Sequence, residues 1–467
     1  MPVNSRHPDY DESLEQWKRC RDVYDGTDAV KAAGEAYLPR AEGQSPRDYQ
    51  AYKKRAMLFG AFNRTVDGFV GSIARKPPKL TVPEKLRYIE DDITGTGIGL
   101  LEFIKMLAAE LLTPGRTGIL TEWDDAKGRP FLSMYRAEQI INWFDGNEAV
   151  IEEVVTERDP ADPFKVSAVN QWCHLFLNEE GHYVINKYRK KSGPRGQEFA
   201  LASTETPTKH NKPFTEVPFK FIGRNGATPK IDKPPLIDLA DVVLAHYMNS
   251  ADLEHGAHQT ALPTLFISGM NNQSQPIYVG GDSAIILNDP QAKVGYAEFS
   301  GDGLGVLTKM MEHKEHQMAV LGAQLLGGGK AGVEAAETAR IRTSGETSLL
   351  SGIVSAIEEV LESSLKLMAD WLSAPGEVDL HINRDFVGSR LDPNELTALV
   401  KAYVSNAITL EAFLHNLQEG EMLGPEMTIE EQAAEIRSAA EKQAAADAKA
   451  AADALVLKAR QEPAEQQ

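Results

Sequence analysis

Gly327-Gly328-Gly329-Lys330-Ala331-Gly332 is the segment whose composition most invites chemistry, because glycines let a backbone wrap an anion and a lysine stands among them. A phosphate-binding loop also needs a glycine five positions before the one that precedes the lysine, and a Ser or Thr after the lysine. Here those places hold Gln324 and Ala331, and helical periodicity, not a strand, precedes the loop. Gly95-Thr96-Gly97-Ile98-Gly99 lacks the spacing of a dinucleotide turn and the strand that must lead into one. The pairs His255/His258 and His313/His316 are three apart on helical patterns, so each pair shares a face; a metal wants three or four ligands, and no third is evident. Cys20 and Cys173 are the only cysteines and fit no metal or redox spacing. There is no Gly-x-Ser-x-Gly elbow and no His-Glu-x-x-His. The expectation is a protein that is not an enzyme, with no catalytic residues, no metal and no cofactor.

The balance of charge narrows the class of partner. With 49 Lys and Arg against 68 Asp and Glu, the net charge is −19. A protein that grips nucleic acid through phosphates gains by releasing counterions onto a basic face, and this chain offers none overall. Acidity still suits a wall along which nucleic acid slides without being held, and it also serves solubility. Apolar runs such as Ile98–Leu101 are far too short to cross a bilayer, so no membrane partner is expected. The first residues carry no signal-peptide core, which points to the cytoplasm.

The elements that must position these residues follow from periodicity. Residues 11–24 read as an amphipathic helix with Leu14, Trp17 and Val23 on one side, followed by a loop to Pro46. Ser45-Pro46-Arg47-Asp48 starts a helix read as continuous to about Ala74, through Tyr49, Tyr52, Ala56, Phe59, Val66, Phe69 and Ile73. A helix covers Leu100–Leu112. Strands are expected at Gly118–Trp123, Ile140–Phe144, Val150–Glu157, Trp172–Leu177 and Tyr183–Tyr188, and the Ser-, Thr-, Pro- and Gly-rich residues 192–216 read as a long loop.

After Pro234-Pro235 a helix runs to about His258. A β-like interval, 262–300, holds short strands at Thr264–Ser268, Ala284–Leu287 and Val294–Phe299. A second helix follows, whose Leu304, Leu307, Met311, Met318, Leu321 and Leu325 form a narrow seam for packing along another helix. Beyond the glycine loop, Glu334–Leu372 reads as one helix of about 58 Å, with Gly345 and Gly352 as bend points. A strand at Val378–Ile382 comes next. Helices then start at Asp392, after Thr409 and at the capping box Thr428-Ile429-Glu430-Glu431, and the last continues into an alanine-rich tail.

This order, with Gly34-Glu35-Ala36-Tyr37-Leu38-Pro39-Arg40, Tyr49, Tyr52, Arg55-Ala56, Phe62-Asn63, Gly68, Gly71 and Arg75-Lys76-Pro77-Pro78, resembles the portal (head-to-tail connector) proteins of tailed bacteriophages. Glu312-His313-Lys314, the run Met318–Leu326 and Glu337-Thr338-Ala339 resemble the same branch of that family, one described only as a domain of unknown function. The resemblance spans about residues 26–420 and leaves out the tail.

It implies an α+β, mainly helical subunit: a wing at 1–232, stem helices at 233–261 and 301–325 flanking a β clip at 262–300, a tunnel loop at 326–333, a long bent helix with a wing strand at 334–390 and a helical crown at 391–467. It further implies a homo-oligomeric ring of about twelve copies closed by heterologous contacts. The ring would sit at one vertex of the virion after assembly in the host cytoplasm, with double-stranded DNA passing through it. Its partners would be the terminase large subunit, a head–tail adaptor, and the major capsid and scaffold proteins. Gly327, Gly328, Gly329, Lys330 and Gly332 would then face DNA, with Lys309, Lys314, Arg340 and Arg342 as further channel charges. The rival readings are another virion assembly protein, scaffold or adaptor, and a nucleotide-dependent enzyme with a degenerate loop.

Overall fold

The computed structural model describes residues 2–159, 161–162, 164–193, 196–260, 264–268, 291, 293–297, 302–322, 336–386, 393–405, 407–419, 422 and 428–461. The chain divides into two compact units, Met1–Phe386 and Val387–Gln467.

The first unit opens with α1 (Pro8–Asp25), α2 (Thr27–Ala33), α3 (Pro46–Arg55) and α4 (Ala61–Ile73), then β1 (Lys79–Thr81) and α5 (Leu100–Leu112). Strands β2 (Arg116–Asp124), β3 (Arg129–Arg136), β4 (Ile140–Phe144), β5 (Glu148–Arg158), β6 (Val166–Leu177), β7 (Tyr183–Gly193) and β8 (Gly196–Glu205) follow. After them come β9 (Thr208–Lys209), β10 (Lys212–Pro213), β11 (Phe219–Gly223), α6 (Ile237–Thr260), β12 (Thr264–Ser268), β13 (Lys293–Ala297), α7 (Asp302–Leu321), α8 (Ala336–Trp371) and β14 (Asp379–His381).

Strands β4 to β8 form an antiparallel meander in sequence order, and β11, β2 and β3 form a second antiparallel sheet. β1 pairs with β14, which ties the residues after α4 to those after α8. One core lies among α4, α5, α6 and α8, around Phe62, Phe103, Tyr247, Ile353 and Ile357. The other joins α1 to the two sheets through Trp17, Ile140, Ile151, Trp172 and Phe219. α8 enters the first core through Leu350, Ile353, Val354, Ile357, Leu361, Leu365 and Met368, a 3.6-residue stripe.

The α+β, mainly helical class read from the sequence is the class of the fold. Several local expectations change. The stretch 26–46 is not all loop, since α2 occupies part of it. The helix expected from Pro46 to Ala74 is two helices. Ala56 turns extended (φ −52°, ψ 135°), and the Met57 backbone N–H donates to Ser250 Oγ of α6 at 2.9 Å instead of continuing a helical ladder. Apolar periodicity carries on across the break, which hides it from the sequence. β3 was not foreseen. Residues 192–216 are largely strand: β8 is the edge of the meander, and an edge strand with one solvated face needs little apolar sequence. His210 and Asn211, both at positive φ, make the tight turn between β9 and β10.

The second unit holds α9 (Pro393–Val404), α10 (Leu410–Glu419) and α11 (Ile429–Gln461). Tyr403 stacks on Phe413 with ring centroids 4.7 Å apart, and Arg437 of α11 pairs with Glu411 of α10. Thr428 and Glu431 form the reciprocal capping box that the sequence predicts, at 2.9 and 3.2 Å. From 441 to 454 every α11 residue is exposed.

Candidate functional site

Helices α6 and α7 form an antiparallel hairpin. Leu239 lies against Gly322, His246 against Glu315, and Gly256 against Leu304, so positions advancing along α6 meet positions retreating along α7. At 24 and 20 residues the arms are about 36 and 30 Å long at 1.5 Å per residue. Glycine sets the approach at both ends. A Cβ at Gly256 would lie 2.9 Å from Leu304 Cδ2, and one at Gly322 would lie 2.6 Å from Thr65 Cγ2.

The base of the hairpin is built into the first core. Leu239, Ala240, Val243, Tyr247 and Ala251 are buried on α6, and Met318 is buried on α7. Polar contacts from the N-terminal helices hold α6 in place. Arg19 Nη1 lies 2.5 Å from Asp241 Oδ1, and the Tyr52 hydroxyl donates to Asp252 Oδ1 at 2.6 Å. Burial, reinforced by that carboxylate, raises the Tyr52 phenol above its ordinary value, so it stays a neutral donor. His255 sits edge-on to Tyr52, with ring centroids 5.3 Å apart. His246 is buried between the arms. Burial lowers its pKa, the neighbouring Glu315 opposes that shift, and Lys314 adds to it.

Beyond Ala251 no described residue of α6 is buried. On α7 the buried and half-buried positions are Leu304, Leu307, Met311, Lys314, Met318, Ala319 and Gly322. Leu321 lies outside that face at 40% exposure, and Gly322 lies inward instead, packed against Thr65 and Leu239. Val306, Met310 and Val320 are also exposed at 59, 46 and 43%. At the far end β12 and β13 pair antiparallel, from Thr264 opposite Ala297 to Ser268 opposite Lys293. Phe266 lies over Gly295 on that ladder and, like Val294 and Tyr296, is exposed.

Of the residues singled out in the sequence, Lys309 is exposed on α7 and Lys314 is half-buried beside His246. Arg340 and Arg342 fall in the first turns of α8, but their side chains lie outside the described residues. Leu325, Gly327, Gly328, Gly329, Lys330 and Gly332, and the strand expected at 284–287, also lie outside them. Sequence reasoning missed the buttress made by Arg19, Tyr52, Met57, Asp241, Ser250 and Asp252, whose partners stand some two hundred positions apart and leave no local signal.

Among the described residues no group of three or more His, Cys, Asp or Glu is placed to hold a metal. None of their helices is long and apolar enough to cross a membrane. Among the described residues the hairpin has a base rooted in the core and a far half whose apolar side chains, Val306 and Met310 among them, are uncovered.

No curated relative matches the sequence. Among solved structures similar to the chain is one from the virion of a native gene transfer agent particle, at 13% identity and TM-score 0.40, covering 81% of this chain and 94% of that one. Another is from the neck of the native gene transfer agent particle computed with C12 symmetry, at 15% identity and TM-score 0.40, covering 85 and 99%. A third is a HK97 family phage portal protein from Corynebacterium diphtheriae, at 12% identity and TM-score 0.30, covering 73 and 94%. Residues 235–372 of the chain, a stretch that takes in α6, α7 and α8, match the family model described as a domain of unknown function, DUF4055.

Proposed function

We propose that this chain is a portal subunit: one of a ring of copies at a capsid vertex, through which double-stranded DNA is packaged and later leaves. The single observation that carries this reading is the hairpin. Two antiparallel helices flank a small β ladder, one end is rooted in the core, and α7 leaves Val306 and Met310 towards the other end, and Val320 and Leu321 beside the root, uncovered by the described residues. Exposed apolar surface of that kind marks an interface, and a subunit repeated around a ring buries it against its neighbours.

Under this reading α6 and α7 are the stem, β12 and β13 belong to the clip that meets the terminase and then an adaptor, and residues 326–333 are the tunnel loop. α8 crosses the wing, and α9 to α11 form the crown. Lys330 is the first candidate for weak phosphate contact, followed by Lys309, Lys314, Arg340 and Arg342. The role is mechanical. A separate motor supplies the force, and the net charge of −19 suits a wall that DNA slides past.

Mass determination of the purified chain together with negative-stain imaging tests the proposal. Closed rings of about twelve subunits with a hole near ~20 Å, wide enough for a duplex, are expected. A chain that stays monomeric even with capsid and scaffold partners would overturn it.

A further inference from the structure

Away from the hairpin, a cavity of about 630 Å³ opens where the two sheets meet the end of α8. β2 contributes Glu122 and Trp123, β7 contributes Tyr183, Glu205 ends β8, and Trp371 closes α8. The proposed portal role uses none of these residues.

The walls combine two chemistries. Trp123 and Trp371 stand with ring centroids 5.4 Å apart, and the Trp371 indole N–H is fixed by donating to the Thr208 carbonyl at 3.1 Å. Beside them are the carboxylates of Glu122, Asp125 and Glu205; no lysine or arginine lines the cavity, and the His210 imidazole at its rim lies 3.7 Å from Asp370. Of the ammonium groups near it, Lys187 is committed to Glu205 at 2.6 Å and Lys209 to Asp370. Burial raises the Glu122 carboxyl above its ordinary value, against the hydrogen bond it accepts from Ser133. Independently of these acids, Tyr183 is 1% exposed, and its hydroxyl has no hydrogen-bond partner among the described residues. A buried phenol without a partner is costly unless a ligand supplies one.

An anion would meet the carboxylates of Glu122 and Asp125 with no lysine or arginine in the lining to answer it. A neutral apolar guest would leave the Tyr183 hydroxyl unanswered. A cation with an apolar skin satisfies each group: its charge meets Glu122, its N–H donates to the Tyr183 oxygen, and its carbon surface rests on the indoles.

We propose that this cavity is a binding site for an organic cation of the guanidinium or alkylammonium class, held by Glu122, Tyr183 and the paired indoles of Trp123 and Trp371. The same chemistry arises from a free amine or from an arginine or lysine side chain of another protein.

The test is a calorimetric titration of the full chain, followed in parallel by tryptophan fluorescence, with butylguanidinium, butylammonium, butanol and butyl sulfate. Saturable binding of the two cations alone is expected, with Glu122→Gln weakening it about tenfold. Glu205→Gln, at the half-exposed edge, should weaken it less and guards against a fold defect in the first variant, which circular dichroism would reveal. No saturable binding, equal binding of butanol, or affinity unchanged in both variants would overturn the proposal. If acetyl-Gly-Arg-Gly-amide binds more tightly than butylguanidinium, the source is a partner's side chain; if more weakly, it is a small free cation.

Discussion

His246 of α6 lies 3.3 Å from Glu315 of α7, ring nitrogen Nε2 to carboxylate Oε1, and its other ring nitrogen is buried without a partner among the described residues. This is a side-chain link across the two arms, made 69 positions apart. Burial outweighs the attraction of Glu315, and Lys314 adds repulsion, so the folded state prefers the neutral ring. Phe59 packs against it with ring centroids 5.5 Å apart, which helps keep water away.

Acid should therefore loosen the hairpin. Because the folded pKa lies below the ordinary histidine value, the stabilising contribution is complete above about pH 6.5 and is lost as pH falls through the depressed value. Thermal melts between about pH 7.5 and pH 5 should show a falling midpoint that His246→Leu flattens. An equal fall in the variant would remove His246 as the cause.

Met318 and Leu321 are neighbours on α7 with opposite expected consequences. Met318 is fully buried, so Met318→Ala should cost about 2–4 kcal/mol in denaturant unfolding. Leu321 is 40% exposed, and Leu321→Asp should change subunit stability by about 0.5 kcal/mol or less. If α7 meets a neighbouring copy there, the same variant should reduce ring yield on a sizing column. Rings at normal yield would place the interface elsewhere.

Arg21 reaches Glu110 with both terminal nitrogens, at 2.8 and 2.7 Å, and Glu138 with Nε at 3.0 Å. Glu110 is nearly fully buried and keeps only Arg136, at 3.5 Å, once Arg21 is gone, so Arg21→Met should destabilise the first unit by about 2–4 kcal/mol. Arg21→Lys should recover little, since an ammonium cannot reproduce the two-pronged contact. The double variant Arg21→Met/Glu110→Leu should recover much of the loss. A double variant as unstable as the single one would show that packing, not charge, is the cause.

Deleting residues 327–332 tests the proposed tunnel loop. Rings should still assemble, while DNA packaging or retention in a reconstituted head should fall. Loss of the ring would mean that the glycines serve assembly instead of passage.

Most of the elements around the hairpin are legible in local sequence. Pro234-Pro235 and the apolar spacing placed α6, a seam beginning at Leu304 placed α7, and Thr428 with Glu431 placed the start of α11, because periodicity and capping are local physics. The segment now forming β8 to β10 stayed illegible for the opposite reason. An edge strand with one wet face needs few apolar residues, so its composition is that of a loop.

The remaining features arise from contacts between distant elements. The break between α3 and α4 exists because Ser250, far along the chain, takes the Met57 N–H. The inward choice of Gly322 over Leu321 comes from the close approach of Thr65 and Leu239. The cavity beside Trp123 and Trp371 is made by residues 248 positions apart, each unremarkable where it stands. Contacts of that range are set by how the elements pack against one another, and no spacing within a single element records them.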